Sequence, residues 1–294
     1  MSNGTRTHLF PARQASACRS GNNLPVVALH SSASTGGQWR SLVECFAGKR
    51  QVVTPDLPGY GFAAAPDHHD RADSLAAEAA AVLRAVGPSA PAFHLVGHSY
   101  GGAVALKIAL AYPWRVRSLT LIEPVVFHLL ARDARGSGGD ADMRLYRGIL
   151  GVRDRLRGAV AAGWPAYGMA AFVDFWNGAG TWDRAEAAQR QRLAAQARAV
   201  TRNFASVLGE SWPLSDLTRL AVPLLAITGE TSPEVARRVT DKLVDTAPDA
   251  TAARIFGAGH MAPLTHAAAV NTLIERHVHL AEMPAAAPRR ASAA

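Results

Sequence analysis

The sequence predicts an α/β fold with a mostly parallel central sheet, helices on its flanks and an inserted helical cap. Short apolar runs alternate with stretches of helical periodicity, which is typical of successive βαβ units. Those runs are apolar throughout rather than alternating, which indicates strands buried on both faces. One long helical stretch, 125–212, interrupts the alternation. We therefore expect this stretch to form the cap.

Each element has its own signal along the chain. Strands are predicted over 25–30, 51–56, 92–97, 117–123, 222–229 and 252–257. Helices are predicted over 73–87, 100–113, 232–248 and 266–282. Proline residues mark the ends of these helices: Pro88 follows the first, Pro113 ends the second and Pro233 lies at the start of the third. Proline is tolerated at these positions because it has no N–H to donate within a helix.

The size and composition are those of a globular chain with a sizeable core. The protein has 294 residues, of which 49% are hydrophobic and 18% are charged. This amount of apolar material suits one large domain or two small ones. We expect 23–124 together with 213–282 to form the α/β core, and 1–22 and 283–294 to be disordered.

The formal net charge of +8 raises the question of a nucleic-acid partner. The arginines are scattered through the chain and do not cluster with aromatic residues, so we expect no nucleic-acid binding. No run approaches the ~18 apolar residues of a membrane span, and the first twenty residues lack the apolar core of a secretion signal. We expect no membrane association, and a monomer or homodimer.

The two cysteines indicate the compartment. Cys18 and Cys45 form no spacing pattern; one disulfide is possible, but two free thiols in a reducing compartment fit better. The expectation is a cytoplasmic protein.

The pentapeptide Gly97-His98-Ser99-Tyr100-Gly101 carries the clearest chemical signal. It matches G-x-S-x-G, with an apolar strand before it and a helix after it, which is the setting of a nucleophile elbow. A serine at this corner must adopt an unfavourable backbone conformation, and Gly97, Gly101 and Gly102 remove side chains that would clash. The helix N-terminus would favour developing negative charge beside Ser99.

A serine nucleophile needs a base within hydrogen-bond reach and a group that orients the base. His260 is the candidate base. It follows the last predicted strand on a Gly-Ala-Gly loop, from where a sheet-edge loop could place the imidazole over Ser99.

With these features the sequence resembles the α/β-hydrolase superfamily over 24–280. The order of Ser99 and His260 is shared, as are "DLPGYG" at 56–61 and "LHSSAS" at 29–34, where relatives usually have His-Gly. The resemblance implies an oxyanion hole with two backbone N–H donors. One donor would be Tyr100, and the other Ser32, with Ser31 as the alternative.

The acid departs from the commonest family pattern. In many relatives the loop after the late strand reads Gly-Glu-x-Asp-Pro, and its aspartate orients the histidine. Here 229–233 reads Gly-Glu-Thr-Ser-Pro, so Ser232 takes the aspartate position. Some relatives, including certain lactonases and haloalkane dehalogenases, place the acid after the strand that follows the elbow helix. Glu123 ends that strand here.

The predicted triad is therefore Ser99, His260 and Glu123, and Glu230 or Glu234 is the alternative acid. The cap is rich in aromatic residues, which favours an apolar or aromatic substrate. The residues predicted to contact substrate are Trp176 first, then Phe172, Phe175, Trp182, His128 and Trp164.

A serine at the elbow argues against the dehalogenases and epoxide hydrolases of the superfamily, which use aspartate there. It predicts hydrolysis of a carboxylic ester or lactone through an acyl-enzyme. No metal-ligand spacing or phosphate-binding loop is present, so we expect no metal and no cofactor. The alternatives are a carbon–carbon bond hydrolase of ring-cleavage products, a cofactor-free perhydrolase and a non-catalytic small-molecule receptor.

Overall fold

The computed structural model describes residues 23–63, 74–87, 92–131 and 139–283. The predicted disordered arm 1–22 lies outside this part of the chain, as does the predicted tail apart from Met283. Six parallel strands form one sheet in the order β2-β1-β3-β4-β5-β6. The strands are β1 (Val26–Leu29), β2 (Val52–Val53), β3 (Phe93–His98), β4 (Val116–Ile122), β5 (Leu224–Gly229) and β6 (Ala250–Ile255).

Eleven α-helices accompany the sheet in the described residues. They are α1 (Arg40–Cys45), α2 (Leu75–Val86), α3 (Tyr100–Ala111), α4 (Asp140–Ala161), α5 (Pro165–Asn177), α6 (Thr181–Arg184), α7 (Ala187–Ala195), α8 (Ala197–Leu208), α9 (Glu234–Thr246), α10 (Ala262–Thr265) and α11 (Ala267–Glu282). The alternation of parallel strands with helices confirms the predicted α/β fold.

Two hydrophobic clusters lie on opposite faces of the sheet. Successive strand residues point to opposite faces, so Val27 belongs to the cluster that includes side chains of α2 and α3, whereas Val26 belongs to the cluster that includes side chains of α1 and α11. Both side chains are fully buried. This double burial is the reason that the strands are apolar without alternation.

Helices α4 to α8 form the cap between β4 and β5. The register brings the carboxyl ends of the central strands together beneath it, since Leu29 pairs with Gly97, and His98 with Ile122. Ligands of open α/β sheets bind at this edge.

Three elements differ from the predictions: strand β2, helix α1 and the four-residue helix α10. Strand β2 has only two residues where six were predicted, because it is an edge strand and Pro55, which lacks an N–H, follows within two residues. Helix α1 was not predicted. It has six residues and only Leu42 is buried, so it is too short to show helical periodicity. Within the described residues, no helix combines the length and apolar character needed to span a bilayer.

Candidate active site

Ser99 stands in the turn between β3 and α3 with a φ of 55°. A left-handed φ is strained for a residue with a side chain. The turn closes only because its neighbours are small. A Cβ added to Gly97 would lie 2.4 Å from the Gly101 carbonyl oxygen, and one added to Gly101 would lie 2.4 Å from that of Leu29. The glycines therefore permit both the tight turn and its close approach to the end of β1.

The three residues of the predicted triad form one hydrogen-bonded chain. The Ser99 hydroxyl lies 3.0 Å from His260 Nε2, and His260 Nδ1 lies 2.6 Å from Glu123 Oε2. All three side chains are buried. Because the carboxylate accepts the Nδ1 proton, Nε2 of the neutral imidazole is left to receive the serine proton.

The second oxygen of Glu123 is also satisfied. Oε1 accepts hydrogen bonds from the Gly229 N–H at 2.7 Å and from the Ser232 hydroxyl. Burial alone would raise the pKa of the Glu123 carboxyl, but the hydrogen bonds from His260, Gly229 and Ser232 hold it below its ordinary value. Glu123 is also strained, with a φ of 46°.

The two alternative acids lie elsewhere. Glu230 is exposed and accepts a hydrogen bond from the Gly257 N–H. Glu234 is exposed and pairs with Arg144 at 3.0 Å. The structure therefore brings Glu123 to His260 and leaves the other two carboxylates at the surface.

The loop after β1 lies beside the elbow. The Ser31 N–H donates to Gln38 Oε1 at 3.1 Å, so that donor is already used. Ser32 lines the cavity together with Ser99 and Tyr100, and its hydroxyl donates to Asn203 Oδ1 of the cap at 2.8 Å. Of the two residues weighed for the oxyanion hole, Ser32 is the one that lines the cavity with Ser99.

Gln38 and His98 link this loop to the base. Gln38 Nε2 lies 3.1 Å from His98 Nδ1, and His98 Nε2 lies 2.8 Å from the His260 carbonyl oxygen. Only an imidazole that accepts at Nδ1 and donates at Nε2 satisfies both bonds. Burial, followed by the nearby His260, lowers the pKa of His98 to about 3, which keeps the ring neutral.

A half-open cavity lies above Ser99, and its empty volume of about 270 Å³ includes open solvent. Apart from the serines and Asn203, its lining is apolar and aromatic, and no charged side chain belongs to it. The lining residues are Ser32, Ser99, Tyr100, Val125 and Phe127 of the core, and Phe172, Trp176, Val200, Asn203, Phe204 and Val207 of the cap.

Trp176 closes one side of the cavity. Its ring stacks on the His260 imidazole with 4.1 Å between ring centroids and 25° between planes.

Comparison with known proteins identifies the family. The model of the alpha/beta hydrolase family matches residues 26–273, which include every strand of the sheet and all three residues of the hydrogen-bonded chain. The protein is a member of the α/β hydrolase family.

Individual relatives of this α/β hydrolase match more narrowly. The 2-hydroxy-6-oxo-2,4-heptadienoate hydrolase of Pseudomonas putida is 35% identical over 105 residues, 34% of this chain and 37% of that protein. The pimeloyl-[acyl-carrier protein] methyl ester esterase of Aeromonas hydrophila is 34% identical over 105 residues, 35% of this chain and 39% of that protein. The matches thus span little more than a third of these relatives.

Structural similarity extends over the whole described hydrolase. MenH from S. aureus superposes with a TM-score of 0.69 at 18% identity, covering 90% of this chain and 96% of that one. At this level of identity the likeness shows the fold alone.

Two of the six residues predicted to contact substrate, Phe172 and Trp176, line the cavity. They lie four residues apart and so share one face of α5. Phe175 lines a second cleft instead, between α4 and α9. Trp182 is buried in the hydrophobic core. Neither Phe175 nor Trp182 lines the cavity, and substrate contact by the predicted residues stays a prediction.

The other two predicted contacts also lie outside the cavity lining. Trp164 precedes α5 and is 69% exposed, so the cap does not direct it toward Ser99. His128 packs against Trp212 with 4.4 Å between ring centroids. Burial and, secondarily, Lys107 lower its pKa to about 4.

Several residues of the site were not predicted from the sequence. Val200, Asn203, Phe204 and Val207 form one stripe of α8, and a single asparagine in an otherwise apolar stripe was a usable signal. Gln38 carried no signal of its own, because its partners are distant in sequence. Among the described residues, no group of three or more His, Cys, Asp or Glu side chains could hold a metal ion.

Proposed function

We propose that this α/β hydrolase cleaves carboxylic esters or lactones with small, uncharged, apolar or aromatic acyl groups. The observation that carries the proposal is the hydrogen-bonded chain of Ser99, His260 and Glu123, which ends at the floor of an apolar cavity. A base 3.0 Å from a serine hydroxyl and oriented by a buried carboxylate is the arrangement that activates serine for acyl transfer.

The reaction follows from these positions. Ser99 Oγ attacks the substrate carbonyl carbon while His260 Nε2 takes the hydroxyl proton, and the carbonyl oxygen becomes an oxyanion. The N–H groups of Ser32 and Tyr100 receive this oxyanion. When the carbon–oxygen bond to the leaving group breaks, His260 returns its proton to the departing alcohol. Water then attacks the acyl-serine by the same steps and releases the acid.

The cavity lining supports a neutral substrate. A carboxylate moved from water into an apolar site requires a cationic partner, and the lining contains no charged residue. Esters and lactones need no such partner. Certain lactonases share the acid position of Glu123, which extends the proposal from esters to lactones.

The second candidate is carbon–carbon bond hydrolysis. Its support is the Pseudomonas putida relative, whose name gives a dienoate as substrate, and a serine-histidine-acid chain would serve both reactions. The uncharged lining favours the ester reaction, as does the methyl ester esterase among the relatives.

The test is a substrate panel combined with active-site labelling. We expect turnover of p-nitrophenyl esters and lactones with short acyl groups, and labelling of Ser99 by a fluorophosphonate in peptide mapping. Ser99→Ala should abolish both, whereas Ser215→Ala, at an exposed serine, should change neither. Turnover of a vinylogous diketo acid without ester turnover would favour the second candidate. Saturable ligand binding without any turnover would indicate a receptor.

A further inference from the structure

We infer that Trp176 is a catalytic residue, whose indole face stabilises the imidazolium form of His260 through a cation–π interaction. The inference rests on the proposed function, because acyl transfer at Ser99 is the step that places a proton on His260. It assigns to Trp176 a role on the base in addition to any contact with substrate.

The geometry is that of a stacked pair. The two ring centroids are 4.1 Å apart and the planes are inclined by 25°, well within the ~6 Å over which a cation interacts with an indole face. Trp176 is 5% exposed and His260 4% exposed, so water does not weaken the interaction by competing for the charge.

Neighbouring aromatic rings fix the position of the indole. Phe127 lies 6.1 Å away at 21°, and Phe175 meets the indole edge-on at 5.1 Å and 90°. Phe127 belongs to the core segment after β4, whereas Trp176 and Phe175 belong to α5 of the cap. The indole is therefore in place before the reaction begins, which is what electrostatic preorganisation requires.

The interaction is stronger in the transition state than in the resting enzyme. Before it accepts the serine proton, the base form of His260 is neutral, and the indole contributes only packing to it. As Ser99 gives up its proton, the imidazole becomes a cation beneath the negative face of the indole. Only an interaction that strengthens at this point accelerates the reaction.

The other titratable groups that face His260 do not duplicate this role. Glu123 binds the ring edge at Nδ1, whereas Trp176 covers the ring face. His98 lies 5.1 Å away between centroids, but it donates to the His260 carbonyl and stays neutral. The imidazolium thus has an anion at its edge and an indole on its face.

Phe172 provides a matched control. It lines the cavity and meets Trp176 at 6.5 Å and Phe204 at 6.1 Å between ring centroids. Among the described ring contacts it has none with His260. A variant at Phe172 therefore alters the apolar wall of the cavity without removing either ring of the stacked pair.

The experiment replaces Trp176 site-specifically with tryptophans that carry one, two and three ring fluorines. Fluorination keeps the shape of the side chain and weakens its negative face. Two quantities are measured: kcat/KM on a p-nitrophenyl acetate substrate, and the midpoint of the His260 ring titration followed by NMR in the free protein, assigned with His260→Gln. We expect kcat/KM to fall stepwise to about a tenth, with KM nearly constant, and the titration midpoint to move to lower pH in parallel.

Leucine variants complete the test. Trp176→Leu should lower kcat by about tenfold or more and move the titration midpoint down, whereas Phe172→Leu should change mainly KM and leave the midpoint in place. If Trp176→Leu does not fold, the fluorinated series still gives the answer. If neither the titration midpoint nor kcat changes with fluorination, the inference is overturned. The NMR titration needs no substrate. If the titration midpoint moves with each added fluorine but the protein hydrolyses no ester, the proposed function is overturned and the contact between Trp176 and the His260 imidazolium is not.

Discussion

At the scale of single residues, the Glu123 carboxylate divides its two oxygens between His260 and the loop after β5. One oxygen accepts from His260 Nδ1, and the other accepts from Gly229 and Ser232. Ser232 occupies the position where many relatives have the acid itself. The hydroxyl at that position donates to the Glu123 carboxylate of the neighbouring strand, because adjacent parallel strands end at the same edge.

Replacing the Glu123 carboxylate should distinguish its role from that of the other candidate acids. Glu123→Gln should lower kcat by roughly 10³ to 10⁴-fold, since an amide cannot stabilise the imidazolium and favours the wrong tautomer of His260. Glu230→Gln, at an exposed carboxylate of the next loop, should leave kcat unchanged. Steady-state kinetics on one ester decides between them, and the reverse ranking would make Glu230 the acid.

The proposed position of the acid at Glu123 can be tested by placing a carboxylate at position 232. Ser232→Asp alone would bring two carboxylates within hydrogen-bond distance, where both cannot be ionised. Its activity at pH 7 should fall about tenfold, and the acid limb of its pH profile should move to higher pH. In the Glu123→Gln background the same change should restore at least tenfold of kcat. A double variant no better than Glu123→Gln would mean that position 232 cannot reach the base.

At the scale of elements, a buried polar chain joins three segments of the core. Gln38 lies in the 3₁₀ turn after β1, His98 at the end of β3, and the His260 carbonyl in the loop after β6. Gln38→Leu keeps approximately the shape but leaves the Ser31 N–H and His98 Nδ1 unpaired. Each unpaired buried group costs about 1–3 kcal/mol. We expect a lower unfolding midpoint and a lower kcat with KM little changed.

Gln38→Glu provides the control for shape and volume. A carboxylate can still accept from Ser31 but cannot donate to His98, so His98 must take up a proton or turn its lone pair toward the His260 carbonyl. Denaturant unfolding and kinetics on both variants test the chain of bonds. Unchanged kcat in Gln38→Leu and Gln38→Glu would show that the bonds do not position the base.

An ion cluster connects the cap helix α4 to the core helix α9. Asp142 is almost fully buried and meets Arg238 at 2.6 Å and Lys242 at 2.7 Å. Asp142→Asn should destabilise the protein by about 1–3 kcal/mol, the range between exposed and buried pairs, because Arg238 remains partly exposed. Asp154→Asn, at a surface ion pair of the same helix, should have no measurable effect.

The same cluster makes stability depend on pH. Burial would raise the pKa of Asp142, but hydrogen bonds from Arg238 and Lys242 hold it below the ordinary value. A depressed folded-state pKa contributes stability above the unfolded pKa of about 4 and loses it as pH falls further. Urea unfolding between pH 7 and pH 3 should therefore show a smaller loss for Asp142→Asn than for the unaltered protein. An equal loss would show that Asp142 contributes nothing.

At the scale of the whole molecule, the cap sets the size of the substrate. Core and cap residues together line the cavity above Ser99, so neither part alone forms the site. Phe172→Ala should enlarge it and shift the preferred ester to longer acyl chains, with about fourfold in kcat/KM for each methylene newly buried. Trp164→Ala, at an exposed residue outside the lining, should leave the preference unchanged. If kcat/KM depends on acyl-chain length in the same way in both variants, the acyl chains bind elsewhere.

The sequence by itself determined the α/β fold, the elbow and the order of serine and histidine. These depend on local signals: apolar runs, glycines at Gly97 and Gly101, and a strand followed directly by a helix. The predicted strands and helices match the structure except at the short edge strand β2 and in helices too short to show a period. The catalytic roles of Ser99 and His260 stay predictions, which the labelling experiment tests.

Only the tertiary structure decided which groups meet. Glu123, Glu230 and Glu234 were all open as the acid, and the register of β4 against β5 places Glu123 beside His260 while the others face solvent. The rotation of α5 brings Phe172 and Trp176 to the cavity and carries Phe175 away from it, and packing places Gln38 against His98. These contacts join residues far apart in the chain, and local periodicity carries no information about how separate elements are turned toward one another.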